Sequence, residues 1–308
     1  MPSPFTQNTA LVPVRDALFR ALDEGRQPVL PGAIGLFHCR RDQQLHGIPL
    51  HFPTLVAVLA GTKEISCDGQ FMCAGAGELV LLPPGIVQLA NRPDAAGRYL
   101  ALAMGFPPPV DYARTASTPQ QDTWVLPAPG AWGLLLSQWI ELHQRHPMPA
   151  DWHLGRQREL LTCLADTGMA GHLLKSRPRV RDLLLERFYG DLRHDWQLSE
   201  VATSLHRSAS TLQRQLQREQ CSFRELLEEA RMVTALGLLQ GTLLPIGQVA
   251  EQVGYQSASR FAERFRARFG LLPSALRQTQ RDGDERKDAE ETGAETIATT
   301  DCVFQATS

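Results

Sequence analysis

A pattern of about twenty residues that occurs twice in the last third of the chain limits its fold more than any other feature. The first copy reads Leu198-x-x-Val201-Ala202-x-x-Leu205, then Ser208-x-Ser210-x-Leu212-x-x-x-Leu216. The second reads Ile246-x-x-Val249-Ala250-x-x-Val253, then Ser257-x-Ser259-x-Phe261-x-x-x-Phe265, with one extra residue in the turn, where Gly254 sits. Each copy places apolar residues at i, i+3, i+4 and i+7, breaks, and resumes with an i, i+4 stripe, which predicts two short helices packed at an angle. Ala202 and Ala250 are small enough to let the second helix of each pair come close. Ser208 and Ser257 stand where an N-cap accepts from exposed helix N–H groups.

The helical wheel then separates buried from outward residues. At about 100° per residue, Leu212 and Leu216 mark the inner side of the first second-position helix. Ser210, Thr211, Arg214, Gln217 and Arg218 turn outward, with Gln213 on the flank. A helix lying in a DNA major groove needs donors and acceptors on that face, and Arg can grip guanine O6 and N7 together. Arg214 is the expected base reader, with Gln213 and Ser210 beside it. On the second such helix Phe261 and Phe265 point inward and Ser259, Arg260, Glu263 and Arg266 outward. Glu263 takes the place that Arg214 holds in the first copy, so this unit is expected to work mainly through phosphate contacts from Arg260, Arg264 and Arg268. Residues 223–240 predict a longer helix joining the two units, with Leu226, Leu227, Ala230, Val233 and Leu239 inward. Another helix is expected over 180–189, started by Pro178, with Trp196 closing the core of the first unit.

Charge follows this division. The 308-residue chain has a net charge of -2, yet residues 177–281 hold sixteen arginines against eleven carboxylates. The stretch after Arg281 is acidic, rich in Gly, Thr and Ala, and lacks periodicity, so residues 282–308 read as a disordered tail. No run of about 18 apolar residues offers a membrane span. The start of the chain lacks the basic and apolar regions of a signal peptide, so a cytoplasmic protein without membrane contact is expected. The six cysteines form no CxxC pair and read as reduced thiols.

The first 174 residues have a different texture. Residues 29–104 contain short apolar runs broken by Gly, Pro and Asp, and Asp68-Gly69 between residues 63–67 and 70–73 predicts a hairpin with a type I′ turn. An antiparallel barrel or sandwich follows. A Pro-rich loop spans 106–130, and helices are expected over 132–145 and 154–174. Leu135, Trp139, Leu142 and His143 form the inner face of one, and Leu160, Leu161, Leu164 and Met169 that of the other, with a break at 147–149. Such a pair can cover one face of the strands or serve dimerisation. The fold class is α+β in two domains, 1–174 and 178–281, joined near residues 175–178 and followed by the tail.

Residues 178–277 resemble the DNA-binding domain of the AraC/XylS regulators. The resemblance rests on Trp196-x-Leu198, Val201-Ala202, Ser208-x-Ser210-x-Leu212-x-Arg214, Ser222-Phe223, Arg231, Ile246, Val249-Ala250, Gly254-Tyr255, Ser257-x-Ser259-x-Phe261, Phe265, Phe269-Gly270 and Pro273-x-x-x-Arg277. It implies two recognition helices in successive major-groove segments, double-stranded DNA as partner, and transcriptional activation through RNA polymerase. Two residues depart from the family pattern: Gln220 replaces the usual Gly after the first recognition helix, and Glu263 replaces a common Arg. Residues 29–105 are similar to the family's cupin-like effector sensor, and the helix pair to its dimerisation hairpin, which implies a homodimer governed by a small molecule or by a protein partner.

A metal-dependent cupin enzyme is the rival from another class. It needs a His-x-His pair with a carboxylate, whereas His38, His46 and His51 are separated and Gln88 follows the Pro83-Pro84-Gly85 turn. Neither metal nor catalysis nor a cofactor is therefore expected. Cys67 and Cys73 flank the hairpin turn, and a redox role would need them exposed with a lowered pKa.

Overall fold

Alternating apolar residues build most of the N-terminal domain. The computed structural model describes residues 9–31, 34–67, 69–106, 124–146, 149–164, 167 and 179–281. Asp68, most of the Pro-rich stretch, Pro147, Met169, the linker at 175–178, Pro178, and the tail with Cys302 lie outside them. The strands are β1 (Ile34–Cys39), β2 (Gln43–Leu50), β3 (Thr54–Ala60), β4 (Thr62–Cys67), β5 (Gln70–Gly75), β6 (Glu78–Leu82), β7 (Gly85–Arg92), β8 (Tyr99–Gly105) and β9 (Val125–Pro127). All their pairings are antiparallel. The β4–β5 hairpin forms as expected, with Gly69 at φ +79.

The strands form two sheets rather than one closed barrel: β1-β8-β3-β6-β9 and β2-β7-β4-β5. Gly61 is one corner between them, carrying the chain from β3 into β4 at φ +75, where a Cβ would lie 2.4 Å from the Arg92 carbonyl oxygen. Val56, Val58, Val80, Leu82, Tyr99 and Ala101 of the larger sheet share one core with Leu45, Ile48, Ile65, Met72 and Val87 of the smaller. The larger sheet is buried on its other face too. There Leu55, Leu59, Leu79, Leu81, Leu100 and Leu102 pack under α1 (Val12–Asp23), α2 (Gly130–Arg145) and α3 (Ala150–Thr162). Burial on both sides explains the unbroken apolar runs at 55–59 and 79–82.

Three sequence expectations shift here. The inner face of α2 is Trp132, Leu136, Trp139 and Ile140, one step round from the predicted stripe, because Gly133 rests on the Ala10 backbone. Helix α3 starts four residues earlier than expected and ends at Thr162, where i→i+3 turns replace helical bonds while Leu160, Leu161 and Leu164 are already buried. Cys67 and Cys73 occupy opposite faces of the smaller sheet, one buried and one exposed, so no bridge can join them. Burial and nearby carboxylates push the Cys73 thiol up, against redox reactivity.

The rest is helical: α4 (Val180–Gly190), α5 (Leu198–Ser204), α6 (Ala209–Arg218), α7 (Phe223–Gly241), α8 (Ile246–Gln252), α9 (Ala258–Phe269) and α10 (Pro273–Gln278). Helix α7 begins with a reciprocal cap between Ser222 and Glu225. It buries Leu226, Ala230 and Leu239 as expected, while Leu227 and Val233 are only half-buried. Met232, Ala235, Leu236, Leu238 and Gln240 are buried as well, because the second half of α7 packs on β1 and β2.

That packing joins the domains. His51, at the entry to β3, is buried between Tyr189, whose hydroxyl is 2.8 Å from Nδ1, and Glu229, 3.3 Å from Nε2. A carboxylate on the Nε2 side places the proton there and leaves Nδ1 to accept from Tyr189. Burial holds the His51 pKa below its ordinary value despite Glu229. The N–H groups of Arg40 and Arg41 donate to the Thr279 carbonyl at 2.7 and 3.2 Å.

Candidate nucleic-acid interface

Both repeats fold as paired helices, α5 with α6 and α8 with α9. Val201, Ala202, Leu212 and Leu216 are buried in the first, and Val249, Ala250, Val253, Phe261 and Phe265 in the second. The Ser208 hydroxyl accepts from the Thr211 N–H at 3.2 Å, and that of Ser257 from the Arg260 N–H at 3.3 Å. Each cap satisfies one of the donors that a helix start leaves open.

The repeat extends to the backbone. In the turns, His206 (φ 53) stands where Gly254 (φ 83) stands, and after the recognition helices Gln220 (φ 55) matches Gly270 (φ 83). These are left-handed conformations, favoured by glycine. Gln220 thus adopts the geometry of the glycine it replaces, and the cost is strain rather than a different cap. At Gly254 no Cβ fits, since it would lie 2.4 Å from the Leu192 carbonyl oxygen and 2.9 Å from an Arg231 nitrogen.

Helix α7 acts as a strut through three charged residues. Arg231 donates from Nε to the Leu192 carbonyl at 3.1 Å and from a terminal nitrogen to that of His194 at 3.3 Å. It thereby ties the loop before α5 to the turn of the second unit. Glu228 accepts from the Tyr255 hydroxyl at 2.6 Å; burial and this carboxylate push the Tyr255 pKa up. Glu229 takes Arg268 at 2.8 Å. The Glu219 carboxylate, just past α6, accepts from the backbone N–H groups of Val180 and Arg181 at 2.9 and 3.0 Å, capping α4. Sequence reasoning assigned none of these roles, because each joins residues 27 to 39 positions apart.

The outward faces follow the wheel, with one exception. Ser208, Ser210, Gln213, Arg214, Gln217 and Arg218 are exposed and Thr211 is half-exposed. Arg214 lies along its own helix, with Nε 3.4 Å from the Ser210 carbonyl oxygen. On α9, Ser257, Ser259, Arg260, Glu263, Arg264 and Arg266 are exposed. Arg268 is half-buried against Glu229, on the flank next to Phe261, Phe265 and Phe269. Arg264 lies 3.9 Å from Glu228. Among the described residues no ion pair joins Glu263 to Arg260 or Arg266, and no cluster of three or more His, Cys, Asp or Glu stands within reach of a single metal ion.

Residues 201–279 match a helix-turn-helix domain family. This stretch is an AraC-type helix-turn-helix domain. With its flanks, the AraC-type domain is 38% identical over 97 residues to the porin thermoregulatory protein EnvY of Escherichia coli K12, covering 32% of this chain and 38% of that one. It is 31% identical over 113 residues to the HTH-type transcriptional regulator GadX of Escherichia coli O157:H7, covering 37% and 41%. The chain thus spans about two fifths of the length of these curated relatives. Beyond the AraC-type domain, the two-domain α+β architecture is similar to that of ToxT from Vibrio cholerae solved with an unsaturated fatty acid, at a TM-score of 0.53. The match covers 80% of this chain and 95% of that one at 12% identity, so it speaks to fold alone. No helix among the described residues is long and apolar enough to cross a membrane.

Proposed function

We propose that the protein is a sequence-specific, DNA-binding transcription regulator, and that its exposed pair of recognition faces reads double-stranded DNA. The observation that carries this reading is the duplicated, capped helix pair with Ser210, Gln213, Arg214 and Gln217 exposed on α6 and Ser259, Arg260, Arg264 and Arg266 exposed on α9. Donors of these types on a helix suit base edges and phosphates. Arg268 serves the fold of this domain more than the phosphates.

The reading extends to the whole chain. Residues 1–174 form a cupin-like sensor and dimerisation unit, residues 178–281 the DNA-binding unit, and 282–308 an acidic tail. The regulator acts in the cytoplasm as a homodimer and as an activator that contacts RNA polymerase, without catalysing a reaction. Exposed Leu134 and Trp152 on the α2–α3 pair supply an apolar face for the dimer. The effector is a small molecule bound by the N-terminal domain; a protein partner is the second reading. Organic acids are the first class to test, because the neighbour ToxT was solved with a fatty acid. The buried Lys63 ammonium also lacks a carboxylate partner among the described residues.

Footprinting of the purified protein on DNA upstream of its own gene, at several salt concentrations, tests the reading. Two protected segments about one helical turn apart are expected, with affinity falling steeply as salt rises. Uniform, sequence-independent protection would reduce the protein to a nonspecific binder.

A further inference from the structure

Lys63 is a pure hydrogen-bond donor at the inner end of a chain of side-chain amides that leaves the two-sheet core and enters the helical domain. On β4 it faces inward with Ile65 and Cys67 and is 4% exposed. Its Nζ donates to Asn91 Oδ1 at 2.8 Å and to the Tyr99 hydroxyl at 3.4 Å. Asn91 Nδ2 donates onward to Gln43 Oε1 at 3.0 Å, and Gln43 Nε2 donates to the Thr279 hydroxyl. The same Gln43 oxygen accepts from Gln240 Nε2 at 3.0 Å. The Thr279 hydroxyl itself donates to the Leu276 carbonyl at 2.6 Å. Gln43, Asn91 and Gln240 are all buried.

Each link has one direction, and the ammonium sets it at the core end. An ammonium offers three donors and no acceptor, so Asn91 must present its oxygen to it. The Asn91 NH2 is then left for Gln43, which must present oxygen in turn, and that oxygen is the acceptor Gln240 needs. Without Lys63 that constraint is lost at the core end, and Gln43 is held only from the helical side, by Gln240 Nε2 and by the Thr279 hydroxyl, whose hydrogen goes to Leu276. If Asn91 and Gln43 turned over, Gln240 would meet an NH2, a buried donor facing a donor, unless it turned as well. The chain ends where the domains are sewn together, at Thr279, whose carbonyl takes Arg40 and Arg41, and at Gln240, whose side chain crosses to Gln43. A buried cation without an anion weakens a core, and an apolar side chain of equal length would fill the same space. What Lys63 supplies is direction.

We propose that Lys63 is a remote positioning residue: its donor-only ammonium fixes the core end of the Asn91–Gln43–Gln240/Thr279 chain and so the register in which α7 and Thr279 seat on β2 and on the turn that follows β1. The inference depends neither on the effector nor on DNA, and its test needs neither.

Hydrogen exchange on the free, full-length protein reads it out, following the Arg40 and Arg41 amides against the amides of the β4–β5 ladder. Two variants separate direction from packing. Lys63→Met removes the donor and keeps the volume. Asn91→Asp gives Lys63 an anion but cannot donate to Gln43. Both are expected to speed exchange at Arg40 and Arg41 about tenfold while the β4–β5 ladder stays as protected as before. Unchanged protection at Arg40 and Arg41 in either variant overturns the proposal. So does a loss that is equal across the ladder, which would make Lys63 an ordinary core residue.

Discussion

Glu229 on α7 holds Arg268 of α9 at 2.8 Å, and with His51 on its other oxygen it turns a recognition-helix cation toward the domain junction. Arg260 and Arg266, on the same helix, make no such pairing among the described residues and are exposed. One helix thus carries arginines with two different tasks.

Salt dependence separates those tasks. Removing one phosphate-binding cation lowers the slope of log affinity against log salt by about 1. Arg260→Ala is expected to lower it by that amount, and Arg268→Ala to leave it unchanged. The check is titration of a labelled duplex at several potassium chloride concentrations. An equal drop for Arg268→Ala would put that side chain back on the phosphates.

The two left-handed residues of the first unit are places to gain stability. A left-handed backbone costs a non-glycine residue roughly 1–2 kcal/mol, partly offset by the extra freedom glycine has when unfolded. His206→Gly and Gln220→Gly should each raise stability by about 0.5–1 kcal/mol, read as a higher denaturant midpoint at constant slope. Gly254→Ala, which would drive a Cβ against Leu192 and Arg231, should lower it by more than either gain. A loss of stability in both glycine variants would mean that the His206 and Gln220 side chains hold the turns themselves.

Local patterns explain why the repeat was legible and the junction was not. The stripes at Val201, Leu212, Val249 and Phe261 and the caps at Ser208 and Ser257 depend on neighbours within a helical turn or two, and the sequence carries them openly. The inward residues Met232, Leu236 and Gln240 owe their burial to β1 and β2, some 200 positions earlier, which no local period records. Strands of this length serve a barrel or a two-sheet fold equally well, and which strands pair, β1-β8-β3-β6-β9 and β2-β7-β4-β5, is set by contacts far apart in the chain. Lys63 was half-visible: alternation sets it beside Ile65 and Cys67, yet lysine is almost never buried without a partner. The pairing of Arg268 was not legible either, because the wheel alone leaves it on a flank and its partner Glu229 stands 39 positions earlier.

The burial of Lys63 also predicts a pH dependence. Burial lowers its pKa from 10.5 to about 8. Between those values the unfolded chain binds the proton and the folded chain does not, so this group makes stability rise with pH across the window. Below about pH 8 both states hold the proton and the penalty of the buried charge is constant, at roughly 3 kcal/mol. In the folded state Cys39, pushed up to about 12, and Tyr99, raised by burial, titrate above the window, and their unfolded-state titration within it is common to wild type and variant. Lys63→Met should therefore gain on the wild type at pH 7, less whatever the absence of its two hydrogen bonds costs. The gap should close by roughly 3 kcal/mol between pH 8 and 10.5 in denaturant titrations. A constant gap across that range would mean the amine is solvated in solution.

Arg214 and Glu263 occupy the same position in the two recognition helices, and the difference should appear as unequal specificity. Arg214 is exposed, and among the described residues its guanidinium is tethered only by Nε at 3.4 Å to the Ser210 carbonyl, which leaves the fork available to a guanine edge. Arg214→Ala is expected to cost roughly 1–3 kcal/mol on the best site and to relax the requirement at one base position. Glu263→Ala removes a carboxylate that repels phosphates and has no arginine partner among the described residues. It should tighten binding to all sequences to a similar degree. Affinities measured over a set of single-base variants of the footprinted site check both. If Arg214→Ala weakened every sequence equally, Arg214 would be a phosphate contact. If Glu263→Ala abolished binding to the best site while sparing nonspecific DNA, the second unit would be the reader, with the carboxylate accepting from cytosine.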